Sequence, residues 1–462
     1  MCTQRVDQPC RPGRRARRGR IFRNLGVALF CAALPWLLIG RASPAAPVTL
    51  SLFINKIPSN PEGQDAVMEI LIRAFQGQHP NVKVTYDTYA SAGQELTKLE
   101  TAAASHVGPD IFEFGSTLMP TAYATGAFEV LTAEMWDRVG GEKKFLKPQL
   151  TMSGPAPGKY IGIPEYANTF ALVYNTRMFK EAGIARPPAG WTEFVADAQK
   201  LTDPQKDQWG VAIAPADSFQ PWHLIWLFAT QLGGQLMDST GNKGLLDAPE
   251  VVKASGFWLD WIAKFHIAAK SNVTYKGPDQ LFAFANGKAA MLVMVGPGLI
   301  PTLNKSAVAK EYAFAPDPTI PYGMTTLPPR GKPAQSFVAG QYVSVFKYSK
   351  NRDLALDLIK LWTSTPIQYQ FWKLLGFLPV TPDAYAKYPE LNQPPWDTFR
   401  AGIEHGYPTP FFGSWGQLEV VLEHAIGKIA AQIGTTGSYT QEDLKKALAQ
   451  ANQELEASLR KR

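Results

Sequence analysis

Six histidines, His79, His106, His223, His266, His405 and His424, are the first residues to weigh for chemistry. None is spaced from another as metal ligands are, and no HExxH pattern occurs. The phosphate-cradling pattern GxxxxGK[ST] is absent. "GPG" at 296–298 is too short for a dinucleotide fingerprint, and Pro297 removes an amide donor that such a loop needs. No GxSxG elbow is present. Glu113 and Glu165 are a pair of carboxylates that could serve sugar hydrolysis by residue type, and sequence sets no separation between them. What recurs instead is aromatic residues beside polar ones, next to turns: "FEFGS" (112–116), "PEYAN" (164–168), "SFQPWH" (218–223), "AGQY" (339–342) and "TPFFGSW" (409–415). A sugar presents an apolar C–H face and an edge of hydroxyls. Rings suit the face. Asn, Gln and Glu suit the edge, because hydroxyls both donate and accept. These groups nominate Glu113, Phe114, Ser116, Glu165, Tyr166, Asn168, Phe219, Trp222, Gln341 and Trp415, although most aromatics in any chain are core.

The elements that must position these groups alternate between strand and helix. Strands are expected at 48–55, 81–89 and 109–115, separated by helices at 65–78 and 93–105, whose apolar residues fall on one face. That order at that spacing argues a parallel sheet built from βαβ units. Further strands are expected at 169–174, 208–214, 289–295 and 312–318, with a strand pair or one long strand at 336–346. Further helices are expected at 176–182, 191–201, 222–232, 248–265, 354–363, 366–374, 416–433 and 441–459. A Pro/Gly-rich stretch at 316–333 marks a loop or a crossing. The chain of 462 residues exceeds one ordinary core, so two α/β lobes are expected. In "PEYANTFALVYN", Pro164 restricts Ile163 to extended geometry and fixes the approach to the next strand.

The N-terminus reads as an address label. Residues 11–23 carry seven arginines, an apolar stretch follows at 25–39, and "GRASPAAPV" supplies small residues near Ala45 and Ala46. Basic, apolar and small segments in that order form a secretory signal over 1–46, and the protein is expected in the periplasm or outside the cell. A membrane anchor is the alternative, but the stretch is short for a span and Pro35 interrupts it. Residues 1–47 hold nine Arg and one Asp, a net of +8 against +7 for the whole chain, so the remainder carries −1. The basic balance therefore belongs to the leader, and a nucleic-acid partner is not expected. Cys2, Cys10 and Cys31 all lie there too, which leaves the rest without a disulfide or a thiolate metal site. No metal and no cofactor are expected.

Five longer motifs, in order, carry a family resemblance: "GKYIGIPEYANTFALVYNTRMFKEAGI", "GWTEFVADAQKLTD", "GGQLMDSTGNKGLLDAPEVVKASGFWLDW", "FANGKAAMLVMVGPG" and "YSKNRDLALDLIKLWTSTPIQYQFWKLLGFLPVTPDAY". The sequence resembles the extracellular solute-binding proteins of ABC importers, in the carbohydrate-binding family that includes maltose-binding protein. The resemblance implies two α/β lobes hinged around a ligand cleft, the type II periplasmic binding protein fold. Lobe 1 would be 48–168 plus 319–370, and lobe 2 would be 169–318 plus 371–462. It implies a monomer that binds a small-molecule ligand, a sugar or oligosaccharide, and delivers it to the transmembrane subunits of a permease. No bond would be made or broken. By position it adds Asn55 and Lys56 after the first strand, supports Glu113–Ser116 and Asn168 as contacts, and assigns stacking to Phe219, Trp222 and Trp415. One departure stands out. Relatives carry an aromatic shortly after the Met…Gly segment, and here Gly298 takes that place. Three alternatives stay open: a non-sugar ligand such as a glycerophosphodiester, for which Lys56 is the obvious cation, a sensory binding protein serving a receptor or kinase, and a periplasmic carbohydrate-active enzyme.

Overall fold

The computed structural model describes residues 47–319, 336–405, 407–408 and 412–460. The leader, most of the Pro/Gly-rich stretch and part of "TPFFGSW" lie outside them. Among the described residues, nine strands form two sheets. The first runs β2 (Val82–Tyr89), β1 (Val48–Asn55), β3 (Ile111–Gly115), β8 (Phe337–Val345), β4 (Ile163–Asn168), with β9 (Tyr407–Pro408) pairing β8. The second runs β6 (Met291–Val295), β5 (Ala171–Asn175), β7 (Tyr312–Ala315). β1 is parallel to β2 and β3, and β8 lies antiparallel between β3 and β4. Helices flank both sheets, giving two α/β lobes. No helix among the described residues is long and apolar enough to cross a membrane.

The local signals act as their chemistry requires. Helix Pro61–Gln78 starts on Asn60, whose Oδ1 accepts from the Gly63 N–H at 3.1 Å, with Pro61 at the first position, where no N–H is needed. It buries Val67, Met68, Leu71 and Phe75 against the first sheet. Helix Ala92–Ser105 is capped by Ser91 in the same way. Side chains alternate across β3: Ile111 joins the core under helix Pro61–Gln78, while Phe112 and Phe114 join a separate aromatic core on the other face. Glu113 therefore points to the same face as Ile111.

Several expected elements differ. Residues 163–168 are themselves a strand of the first sheet, and the chain enters the second sheet only at Ala171, after Thr169 and Phe170. The pairing of β4 with β8 slips between Pro164 and Tyr166, which is where a strand tolerates a proline that cannot donate. Residues 208–214 are extended but form no ladder. Their amides reach different neighbours in turn: Trp209 to Lys288 O, Val211 to Ile267 O and Ala212 to Met291 O. Gly210 lies directly against the backbone of Ala198, where a Cβ has no room. The segment 336–346 is one strand, not a pair. Short helices at Met119–Thr125, Ala133–Val139, Gly277–Ala285 and Trp396–His405 were not expected.

Candidate functional site

A cleft of about 180 Å³ opens where the two sheets hand over the chain. From the first sheet, Asn55 ends β1, Gly115 ends β3 with Ser116 and Thr117 following it, and Tyr166, Asn168, Gly340 and Gln341 come from β4 and β8. From the other side come Phe219, Trp222 and His223 at the start of helix Gln220–Gln231. Phe170 and Phe337 wall the crossing itself. The cavity thus gathers Asn55, Ser116, Tyr166, Asn168, Phe219, Trp222 and Gln341 from the sequence-derived set. A larger cavity, about 540 Å³, runs along helix Pro249–Ala263 and contains none of that set.

The loops are stapled from behind. Gln64 donates to Asn55 O at 2.5 Å and accepts from the Ile57 N–H at 2.9 Å, fixing the exit of β1. The Ser116 N–H donates to Gly340 O at 2.9 Å. Asn55 and Gln341 bracket the Tyr166 hydroxyl, and the Tyr166 ring stacks on Phe377 at 3.8 Å. Close approach demands glycine at position 340, against backbone, and crowds position 296, against the Asn168 side chain. A Cβ on Gly296 would sit 2.7 Å from Asn168 Oδ1, and one on Gly340 would sit 2.7 Å from Tyr166 O.

Five expected contacts are placed differently. Phe114 is wholly buried and packs edge-on against Phe128 at 5.3 Å, because strand alternation sends it to the aromatic core. Trp415 does not line the cleft. It is 1 % exposed and meets Trp222 from behind, with the rings 5.6 Å apart and perpendicular. Lys56 is exposed and lies outside the lining. Glu113 and Glu165 lie beneath the cleft, in a smaller cavity that shares Asn55 and Tyr166 with it. The Asn55 N–H donates to Glu113 at 3.2 Å.

Burial governs the electrostatics. Desolvation pushes the Glu113 carboxyl up to about 8, with the Glu95 carboxyl adding to it. Glu95 and Glu419 are likewise pushed up to about 8, chiefly by burial. Glu165 is raised well above the usual carboxylate range by burial and by Glu113. Burial drives the His223 imidazole down to about 3, so it is neutral. Among the described residues no group of carboxylates, histidines and cysteines is arranged to hold a metal ion.

Thr117, Phe170, His223, Phe337 and Gly340 were missed. His223 was weighed only as a metal ligand. Phe170 and Phe337 were read as strand residues, although their place at the sheet-to-sheet handover was the available signal.

The bacterial extracellular solute-binding protein family matches the sequence over residues 58–369. The chain belongs to this family. This solute-binding protein is 27 % identical over 287 residues to the diacetylchitobiose binding protein of Streptomyces coelicolor, covering 61 % of this chain and 63 % of that one. It is 23 % identical over 374 residues to the maltotriose-binding protein of Pyrococcus abyssi, covering 79 % and 74 %. Its fold matches T. maritima MalE3, solved with maltose, at a TM-score of 0.74 and 21 % identity over 88 % of this chain and 99 % of that one. It also matches a solute-binding protein of Thermotoga lettingae, solved with α-D-tagatose, at 0.74 and 22 % over 88 % and 100 %.

Proposed function

We propose that the chain is the extracytoplasmic solute-binding component of an ABC importer. It takes a sugar or oligosaccharide into the cleft between its lobes and delivers it unaltered to the permease subunits in the membrane. One observation carries this reading: five aromatic rings and the uncharged polar groups of Asn55, Ser116, Asn168 and Gln341 meet in one cavity between two sheets. The rings suit the C–H faces of a sugar, and the amides can both donate and accept. The ligands named for the relatives, diacetylchitobiose and maltotriose, belong to the same class.

The first sheet organises one lobe and the second sheet the other, and helix Thr365–Leu375, which runs unbroken through residue 370, packs on helix Pro61–Gln78 beside the first sheet. The ligand touches both lobes only when they close, so binding shifts the population toward the closed form. Residues 1–46 direct export, and the exported protein acts as a monomer without a cofactor.

Two features weigh against the alternatives. A phosphodiester needs cationic contacts, and no Lys or Arg lines the cleft among the described residues. A hydrolase needs carboxyls at the ligand, and Glu113 and Glu165 sit beneath the lining. The test is a thermal-shift screen over sugars, polyols and glycerophosphodiesters, with each stabilising compound recovered and weighed by mass spectrometry. A sugar that raises Tm and is recovered unchanged is expected. A recovered product of altered mass, or stabilisation by phosphodiesters alone, contradicts the reading.

A further inference from the structure

Among the described residues, the cleft is closed at two ends by the protein itself. Beyond Tyr166 and Asn168, Phe377 touches an element of each sheet. Its ring stacks on Tyr166 of β4, 3.8 Å between centroids and 16° between planes. Gly298, just past β6, lies so close that a Cβ there would come within 3.0 Å of the same ring. Asn168 crowds Gly296 beside it. The smaller cavity beneath, which Tyr166 and Phe377 share, holds about 10 Å³, no more than one water needs.

Beyond Thr117 and Trp222, the start of helix Trp415–Thr436 forms the second closure. The Thr121 hydroxyl donates to Gly413 O at 2.7 Å. A Cβ on Gly416 would come within 2.5 Å of the Leu118 side chain. Trp415 covers the back of Trp222.

Between these closures about 180 Å³ remains. Cavities that enclose drug-sized ligands run ~300–1,000 Å³. A disaccharide belongs to that class, and the single ring it is built from falls below it. The lining is also uncharged. Its polar side chains are amides, hydroxyls and the imidazole of His223, held neutral by burial.

We propose that the cleft takes one neutral sugar ring, or a sugar alcohol of that size, and that Phe377 fills the place a second ring would need. The proposal rests on the sugar-cleft reading above and names the ligand's size and charge. A sugar lays its C–H face on an aromatic ring much as Phe377 lies on Tyr166. That face of Tyr166 is therefore already taken by the chain's own ring.

The test is titration calorimetry with D-glucose, D-galactose, D-xylose, D-glucitol and xylitol, set against cellobiose, lactose and xylobiose, which carry a second ring on those skeletons. At least one of the smaller compounds is expected to bind, at least tenfold more tightly than the disaccharide of its skeleton. In a Phe377→Ala variant, checked for folding by circular dichroism, the disaccharide-to-monosaccharide affinity ratio should rise at least tenfold. Phe377→Leu, which keeps more of the side chain, replaces it if the alanine variant does not fold, and a smaller rise in the same direction is expected. A disaccharide that binds the unaltered protein as tightly as its monosaccharide overturns the proposal and leaves the sugar-cleft reading standing. An unchanged ratio in a folded variant overturns it too. If none of the panel binds, the proposal falls, and the sugar-cleft reading falls with it only if the wider thermal-shift screen also finds no sugar.

Discussion

The rings of Tyr166 and Phe377 lie face to face, 3.8 Å between centroids and 16° between planes. Phe377 also lies over Gly298, where a Cβ would come within 3.0 Å of its ring. The position from which relatives are expected to supply an aromatic is therefore a glycine, and a ring from the loop after helix Thr365–Leu375 occupies the adjoining space. Gly298→Trp should overpack this contact and cost ~1–3 kcal/mol of stability. Adding Phe377→Ala should recover much of the loss, so that a double-mutant cycle in urea shows coupling. Independent, additive effects would separate the two positions.

Two tryptophans that touch each other should behave differently. Trp222 lines the cleft, and Trp415 stands behind it in the core of the second lobe. Trp222→Ala should weaken binding of the cognate sugar by ~1–3 kcal/mol through lost ring contact, and because Trp222 is 2 % exposed in the same core it should destabilise the fold as well. Trp415→Ala should chiefly destabilise the fold, by ~3–5 kcal/mol, as large core truncations do. Denaturation midpoints and titration calorimetry on both variants check the split. A stable Trp415→Ala protein that has lost its sugar would return Trp415 to the ligand.

Glu113 makes stability depend on pH. Its carboxyl is held at about 8 in the fold against an ordinary 4.5, so the fold prefers the neutral acid. The stabilisation is fully present below the unfolded value and is lost as pH rises through the folded one. Glu113→Gln keeps an acceptor for the Asn55 N–H without the ionisable group. Relative to the parent, the variant should gain Tm as pH rises from 5 to 9, most of it by about 8. A Tm difference that stays constant over that range would show that Glu113 is not buried as an acid.

The elements with long periodic patterns were legible from sequence. β1 falls where β-branched and apolar content put a strand, and helix Gln441–Leu459 falls where a helix was expected. Strand β4 was missed because Pro164 argues against a regular ladder, and only the slipped pairing with β8 makes room for it. The extended segment at 208–214 was read as a strand because its composition is that of a strand, while its partners are set by tertiary contacts. For the cleft, residue type and turn position found Tyr166, Asn168, Phe219, Trp222 and Gln341. They could not tell Phe114 from Ser116, since the face of β3 is decided by pairing. They could not tell Trp415 from Trp222 either, since one ring shields the other. The buried carboxyls Glu95 and Glu419 were visible as residues, but their burial depends on the packing of helices Ala92–Ser105 and Trp415–Thr436.

Small-angle scattering with and without the most stabilising sugar is the most direct measurement of whether two lobes close on an intact guest. The radius of gyration should fall on saturation, and the sugar recovered afterwards should be unchanged. Identical scattering profiles with the sugar demonstrably bound would contradict closure of the cleft, and a chemically altered sugar would contradict its role as a carrier.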